Sequence, residues 1–287
     1  MTDADPDRRR ALFERALARD PTDAATRVRY GRLLVEAFDD RPAANEQFER
    51  ALAADPTHPG ARNALAVRAL RAGDVDEARE RLAAVLADEP AEIDPERRTA
   101  YARAWANSAN LRWRVAADPE GAREAFETAL ERDPSLPRTH AWLGRLFAEA
   151  FDDPDAARER YERAVTLDPD NAPAHVGLGN LRWRADDPAG ARACHERAVE
   201  ADPESALAHY NLGTVLLDGF DDAEEAREAF ERAAALDPDR ADAHRRLGET
   251  LWRAGDTGDA REAFETALER DPDDETARVA LAALAAE

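Results

Sequence analysis

The chain has 287 residues, with 62 Asp and Glu against 40 Arg, no Lys and a formal charge of −22. Binding a phosphate backbone needs clustered cations, so this balance argues against nucleic acid as the main partner. The single cysteine, Cys194, excludes an intramolecular disulfide framework or a cysteine-based metal cluster. A hydrophobic content of 44% is enough to bury a core. No apolar run approaches the roughly 18 residues that a membrane-spanning helix requires.

Taken in chain order, the first residues are charged throughout and carry no apolar stretch of signal-peptide type, so the expected compartment is the cytoplasm. Residues 6–19 then read as a lone helix that ends at Asp20-Pro21. That acidic-Pro punctuation returns at Pro56, Pro90, Pro134, Pro169, Pro203, Pro238 and Pro272, at spacings of 34 or 35 with one of 44. Eight residues before each Pro stands Phe13, Phe48, Leu82, Phe126, Tyr161, His195, Phe230 or Phe264. Five before it stands Ala, with Val85 the one exception. A small pair lies further upstream: Tyr30-Gly31, Leu65-Ala66, Ser108-Ala109, Leu143-Gly144, Leu178-Gly179, Leu212-Gly213 and Leu247-Gly248. Gly and Ala permit close backbone approach, an aromatic fills the space left over, and Pro ends a helix.

These spacings resemble those of the tetratricopeptide repeat family over nearly the whole chain. The resemblance implies an all-α solenoid of antiparallel helix pairs, with about 16 helices, forming one domain over residues 1–287. A half-repeat at 6–19 precedes repeats at 24–58, 59–92, 102–136, 137–171, 172–205, 206–240 and 241–274, and a capping helix follows at 275–286. The longer spacing inserts Ile93 to Tyr101, where Asp94-Pro95 reads as an N-cap with Pro at the first helical position. The expected result is a lengthened helix from about Pro95 to Val115 whose first turns project beyond the stack, or else a short separate helix. Three of the 35-residue units share a Phe-Asp-Asp stretch at Phe38, Phe151 and Phe220, expected to tuck the ring beneath the turn between paired helices.

In this family the first helix of each pair lines a concave groove. At the groove-facing positions stand eleven Arg, among them Arg29, Arg32, Arg71, Arg103 and Arg138, against five carboxylates, Glu36, Glu149, Asp218, Asp242 and Glu249. The expected partner is therefore another protein, bound through an acidic or carboxylate-bearing peptide or helix, because Arg holds carboxylates in bidentate fashion. The candidate partner-binding residues are Arg114, Trp142, Arg145, Asn180, Arg184, Tyr210, Asn211, Arg245, Arg246 and Arg253. Trp113, Trp183 and Trp252 are read instead as packing against the turn and the next unit. Asn180, Asn211 and Arg246 match three places of the carboxylate clamp of chaperone-binding relatives, whereas Val176 and Asp242 replace its other two cations. A co-chaperone-like receptor for C-terminal peptides is thus one alternative, and an RNA-binding helical-repeat protein is another.

No catalytic, metal or cofactor site is expected. His140, His175, His209 and His244 form a ladder, but equivalent positions lie about 10 Å apart, too far to share one metal ion. They are read as semi-polar rings in a packing slot behind the groove. Cys194 and His195 are adjacent on a helix, so their side chains diverge.

Overall fold

A computed structural model describes residues 5–285, and these contain sixteen α-helices and no strand. The helices are α1 (Pro6–Arg19), α2 (Ala24–Phe38), α3 (Arg41–Ala54), α4 (Pro59–Arg71), α5 (Val75–Ala87), α6 (Pro95–Arg114), α7 (Pro119–Arg132), α8 (Pro137–Ala150), α9 (Pro154–Leu167), α10 (Ala172–Arg184), α11 (Pro188–Ala201), α12 (Ala206–Phe220), α13 (Ala223–Leu236), α14 (Ala241–Ala254), α15 (Thr257–Arg270) and α16 (Glu275–Leu284). Residue 286, the expected end of the last helix, lies outside the described residues. The chain divides into two compact units, one ending at Thr139 and the other beginning at His140.

The acidic-Pro punctuation becomes one recurring turn. Asp20, Asp55, Asp133, Asp168 and Asp271 end second helices in extended backbone, as the residue before a proline must. Each of these carboxylates also accepts the backbone N–H two residues on, as Asp20 does from Thr22 at 2.9 Å and Asp55 from Thr57 at 3.0 Å. A second set of Asp starts the second helices. Asp40, Asp74, Asp118, Asp153, Asp187 and Asp222 each accept a first-turn N–H, which satisfies an otherwise orphaned donor. The Asp excess is therefore partly structural.

Packing within each pair follows the spacing rule. The Ala column at 44, 78, 122, 157, 191, 226 and 260 is fully buried. A Cβ on Gly31 would stand 2.5 Å from the Phe48 ring, and one on Gly213 or Gly248 would stand 2.9 Å from Phe230 or Phe264. Each aromatic thus lies on the glycine of its own pair. Tyr161 also reaches Gly177 of the next, so the ring joins neighbours as well as partners.

The insertion differs from expectation in one respect. It does lengthen a helix, since α6 has 20 residues. Its first turns, however, are held rather than projecting. Arg97 donates to Asp55 at 2.8 Å, Thr99 to Asp133 at 2.7 Å, and the Tyr101 hydroxyl to the Asp88 carbonyl at 3.3 Å. The loop before α6 is fixed through the nearly buried Glu89, which accepts from Trp105 at 2.8 Å and from Arg132 at 2.9 Å. The Phe-Asp-Asp rings also differ from one another. Phe38 and Phe151 are half-buried, whereas Phe220 is 42% exposed beneath Arg192.

Candidate interaction surface on the first helices

The first helices of the second unit, α8, α10, α12 and α14, carry most of the candidate residues. Arg145, Asn180, Arg184 and Arg253 are exposed, while Trp142, Tyr210, Asn211, Arg245 and Arg246 are half-buried. Arg114, in the first unit, is exposed at the end of α6, with its guanidinium 5.8 Å from the Trp113 ring centre.

Exposure does not mean availability. Arg246 donates to Glu249 at 2.6 Å and also pairs with Asp218, and its side chain is only 12% exposed. Its guanidinium lies over the Phe230 ring, and although burial opposes the charge, these two carboxylates raise its pKa overall. Arg245 donates to Glu249 at 2.6 Å and pairs with Asp274 at 3.1 Å. Asp274 in turn caps α16, so the chain of charges ties α12, α14 and α16 together. Arg145 pairs with Glu149 at 2.6 Å along its own helix. Arg184 and Arg253 make no ion pair among the described residues.

The aromatics divide similarly. Tyr210 lies under Arg240 at 4.6 Å and edge-on to Phe230 at 5.9 Å, so it is largely a packing residue. Burial, followed by the nearby Asp242 carboxylate, pushes its hydroxyl pKa up. Trp183 packs on Gly219, whose Cβ would stand 3.1 Å from the indole, and Trp252 packs against the core around Leu251 and Phe264. Of the clamp-like positions, Asn180 is exposed, the buried Asn211 amide nitrogen makes no hydrogen bond, and Arg246 is engaged as described. Val176 is buried and Asp242 pairs with Arg240 at 2.8 Å, so neither place offers a cation.

The histidine ladder has a use that its spacing alone did not reveal. His175, His209 and His244 each place Nε2 near the carbonyl of the proline six residues earlier, at 2.8, 3.1 and 3.1 Å. Arg27, Arg62 and Arg278 serve the corresponding proline carbonyls in other turns. His140 and His175 are buried, whereas His209 and His244 are partly exposed. No cluster of His, Cys, Asp or Glu among the described residues is arranged to hold a metal ion. Burial raises the pKa of the Cys194 thiol and lowers that of His195 to about 4, which disfavours both charged forms. No helix of the described residues is long and apolar enough to cross a membrane.

Comparison with known proteins agrees with this architecture. One tetratricopeptide repeat sequence profile matches residues 109–172, 148–193, 176–241, 219–275 and 246–287, and a second matches residues 37–104. Among solved structures, the chain is similar to one in the crystal structure of the APC/C hetero-tetramer Cut9–Hcn1. The TM-score is 0.76 at 16% identity, covering 96% of this chain and 52% of that one. It is also similar to pilF of Pseudomonas aeruginosa, with a TM-score of 0.60 at 22% identity, covering 66% of this chain and 85% of that one. The chain thus spans about half the length of the first of these, and at such identities the likeness speaks for fold alone. No curated protein matches the sequence. With paired helices, a buried Ala column, aromatic-on-glycine packing and profile matches along most of its length, the chain belongs to the tetratricopeptide repeat family.

Proposed function

We propose that this protein is a non-catalytic scaffold, acting in the cytoplasm, that captures a segment of a partner protein on the inner face of its first helices. The observation that carries this reading is the set of side chains on α10 and α14 left unused by the fold. Asn180, Arg184 and Arg253 are exposed and make neither a hydrogen bond nor an ion pair within the described residues. Exposed Arg on a rigid surface is among the residue types that dominate interface energies, and preformed helices limit the ordering cost of binding. Arg245 and Arg246 serve mainly to position α12, α14 and α16, and Trp142 and Tyr210 supply the apolar walls.

The reading is tested by affinity capture from the source cells at their own salt, followed by reconstitution with the purified partner. Reversing both Arg184 and Arg253 to Glu removes bidentate donors and repels an acidic ligand. Capture should be lost while the melting temperature stays nearly constant, because both positions are at the surface. Undiminished capture with an intact fold would place the partner elsewhere. The acidic body disfavours a nucleic-acid polymer, and binding of single-stranded RNA that survives physiological salt would reverse that preference.

A further inference from the structure

Arg145, Arg245 and Arg246 in the second unit are matched by carboxylates, whereas a longer row in the first unit is not. Arg29 and Arg32 on α2, Arg71 on α4 and Arg103 on α6 stand at inner-face positions and make no ion pair within the described residues. Glu36 is the one carboxylate at the inner-face positions of these three helices. Burial, reinforced by the charge of Arg103, pushes Arg32 down to about 10. Arg103 lies close enough to repel Arg32, and Glu36 offsets only part of the combined effect. Asn107 donates to the buried Asn63 at 2.9 Å, which links α6 to α4. A cavity of about 320 Å³ opens at the N-terminal ends of these helices, lined by Val28, Arg29, Arg32, His58 and Arg97 among others. Three carboxylates line it as well: Asp94, Asp23, which accepts from Thr26, and Asp55, which holds Arg97. His58 adds little positive charge there, since burial and Arg97 lower its pKa.

We propose that the inner face of the first unit binds an extended, Asp- and Glu-rich segment of a partner protein, with Arg32 and Arg103 gripping side-chain carboxylates and Arg29 and Arg71 continuing the row. This rests on the inner-face reading above and adds the location and chemistry of one site. A carboxylate placed between Arg32 and Arg103 relieves their repulsion and meets the planar fork of each guanidinium. First helices of successive pairs stand about 10 Å apart, so about seven extended residues cross from α2 to α6. A peptide with alternate Glu carries one charge per ~7 Å, whereas duplex DNA carries one per ~1.7 Å. The acidic body around the row repels the polynucleotide far more strongly, which selects the peptide.

The unpaired arginines make a second demand. If these arginines serve a ligand, they destabilise the free protein, and replacing one should raise its melting temperature while weakening binding. An arginine with a purely structural role would do the reverse. The test uses the full chain and fluorescence anisotropy with an N-terminally labelled, C-terminally amidated peptide of about ten residues alternating Glu and Ser. The Gln-for-Glu peptide, the same Glu peptide with a free C-terminus, and single-stranded oligouridylate are the comparators. The Glu peptide should bind with or without amidation, and the Gln peptide should not. The Arg32→Gln/Arg103→Gln variant should weaken binding by at least about tenfold with an unchanged or higher melting temperature. The proposal is overturned if the Glu peptide fails to bind, if it needs a free C-terminus, or if oligouridylate binds more tightly. It is also overturned if the double variant binds normally, or loses binding only as its melting temperature falls. Loss through Arg184→Gln/Arg253→Gln instead would move the acid-binding site to the second unit and leave the inner-face reading standing. Partner capture indifferent to both pairs would remove that reading too.

Discussion

His195 occupies the position held by Phe or Tyr in most other pairs, pressed against Gly179, and its Nδ1 makes no hydrogen bond within the described residues. Its pKa of about 4 lies below the ordinary imidazole value near 6.5, because burial disfavours the cation. The unfolded chain therefore takes up a proton before the folded one does. Stability contributed by the neutral ring is complete above about pH 6.5 and is lost as pH falls toward about 4, a difference of roughly 3 kcal/mol. Melting curves from pH 7 to pH 4 should show this loss, and His195→Phe should flatten it and raise stability at pH 7 by about 1 kcal/mol. An unchanged acid slope in the variant would assign the loss to other groups. The sequence placed His195 in an aromatic slot, but an unbonded ring nitrogen depends on what surrounds it in space. The histidine ladder shows the same limit. Its spacing was visible, yet its partner is a proline carbonyl six residues back, and the substitution of Arg27, Arg62 and Arg278 shows that a reaching donor is what matters, not a ring.

Between paired helices, the choice of 34 or 35 residues selects the turn. In the shorter units Gly73 and Gly255 take left-handed backbone, at φ 82° and 89°, and Asp186 does so at φ 59°. The longer units place the left-handed residue one position later, at Asp39, Asp152 and Asp221, and the next N–H reaches back six residues, as from Asp40 to the Leu34 carbonyl at 2.9 Å. Asp tolerates this conformation better than most residues. The fourth longer turn holds Ala117 there, at φ 51°, with no side-chain acceptor to compensate. Ala117→Gly should thus stabilise the protein by about 0.5–1 kcal/mol, raising the melting temperature by a degree or more. A fall would show that the left-handed Ala costs less than the freedom Gly gains on unfolding. The repeat length was legible because deletion or insertion of one residue shifts every later Ala and Pro together. The anchoring of α6 was not, because Asp55 and Asp133 lie on distant turns.

Across the molecule, charge is the dominant variable. The net −22 is spread over a surface whose ion pairs are mostly exposed and local, each worth about 0–1 kcal/mol at most. Mutual repulsion of the excess carboxylates opposes the compact state, and molar salt shortens its range to about 3 Å. Helical circular dichroism should show a melting temperature that climbs between about 0.1 and 3 M KCl, and a flat or falling curve would remove the repulsion argument. The same charge shapes the interaction surface. Counting side chains in the sequence showed an excess of inner-face Arg, but not which ones are matched. Asp218 reaches Arg246 from the neighbouring first helix, and Asp274 reaches Arg245 from the cap of α16, and only the packed helices bring these groups together.

Which face meets the partner decides whether the first helices are the working surface. A photo-crosslinking side chain placed at Asn180, exposed on the first helix α10, can be compared with one at Ala193, exposed on the second helix α11. With the captured partner bound, crosslinks should form from position 180 and be nearly absent from position 193. Crosslinks concentrated at 193, with the fold intact in both, would contradict binding on the first helices.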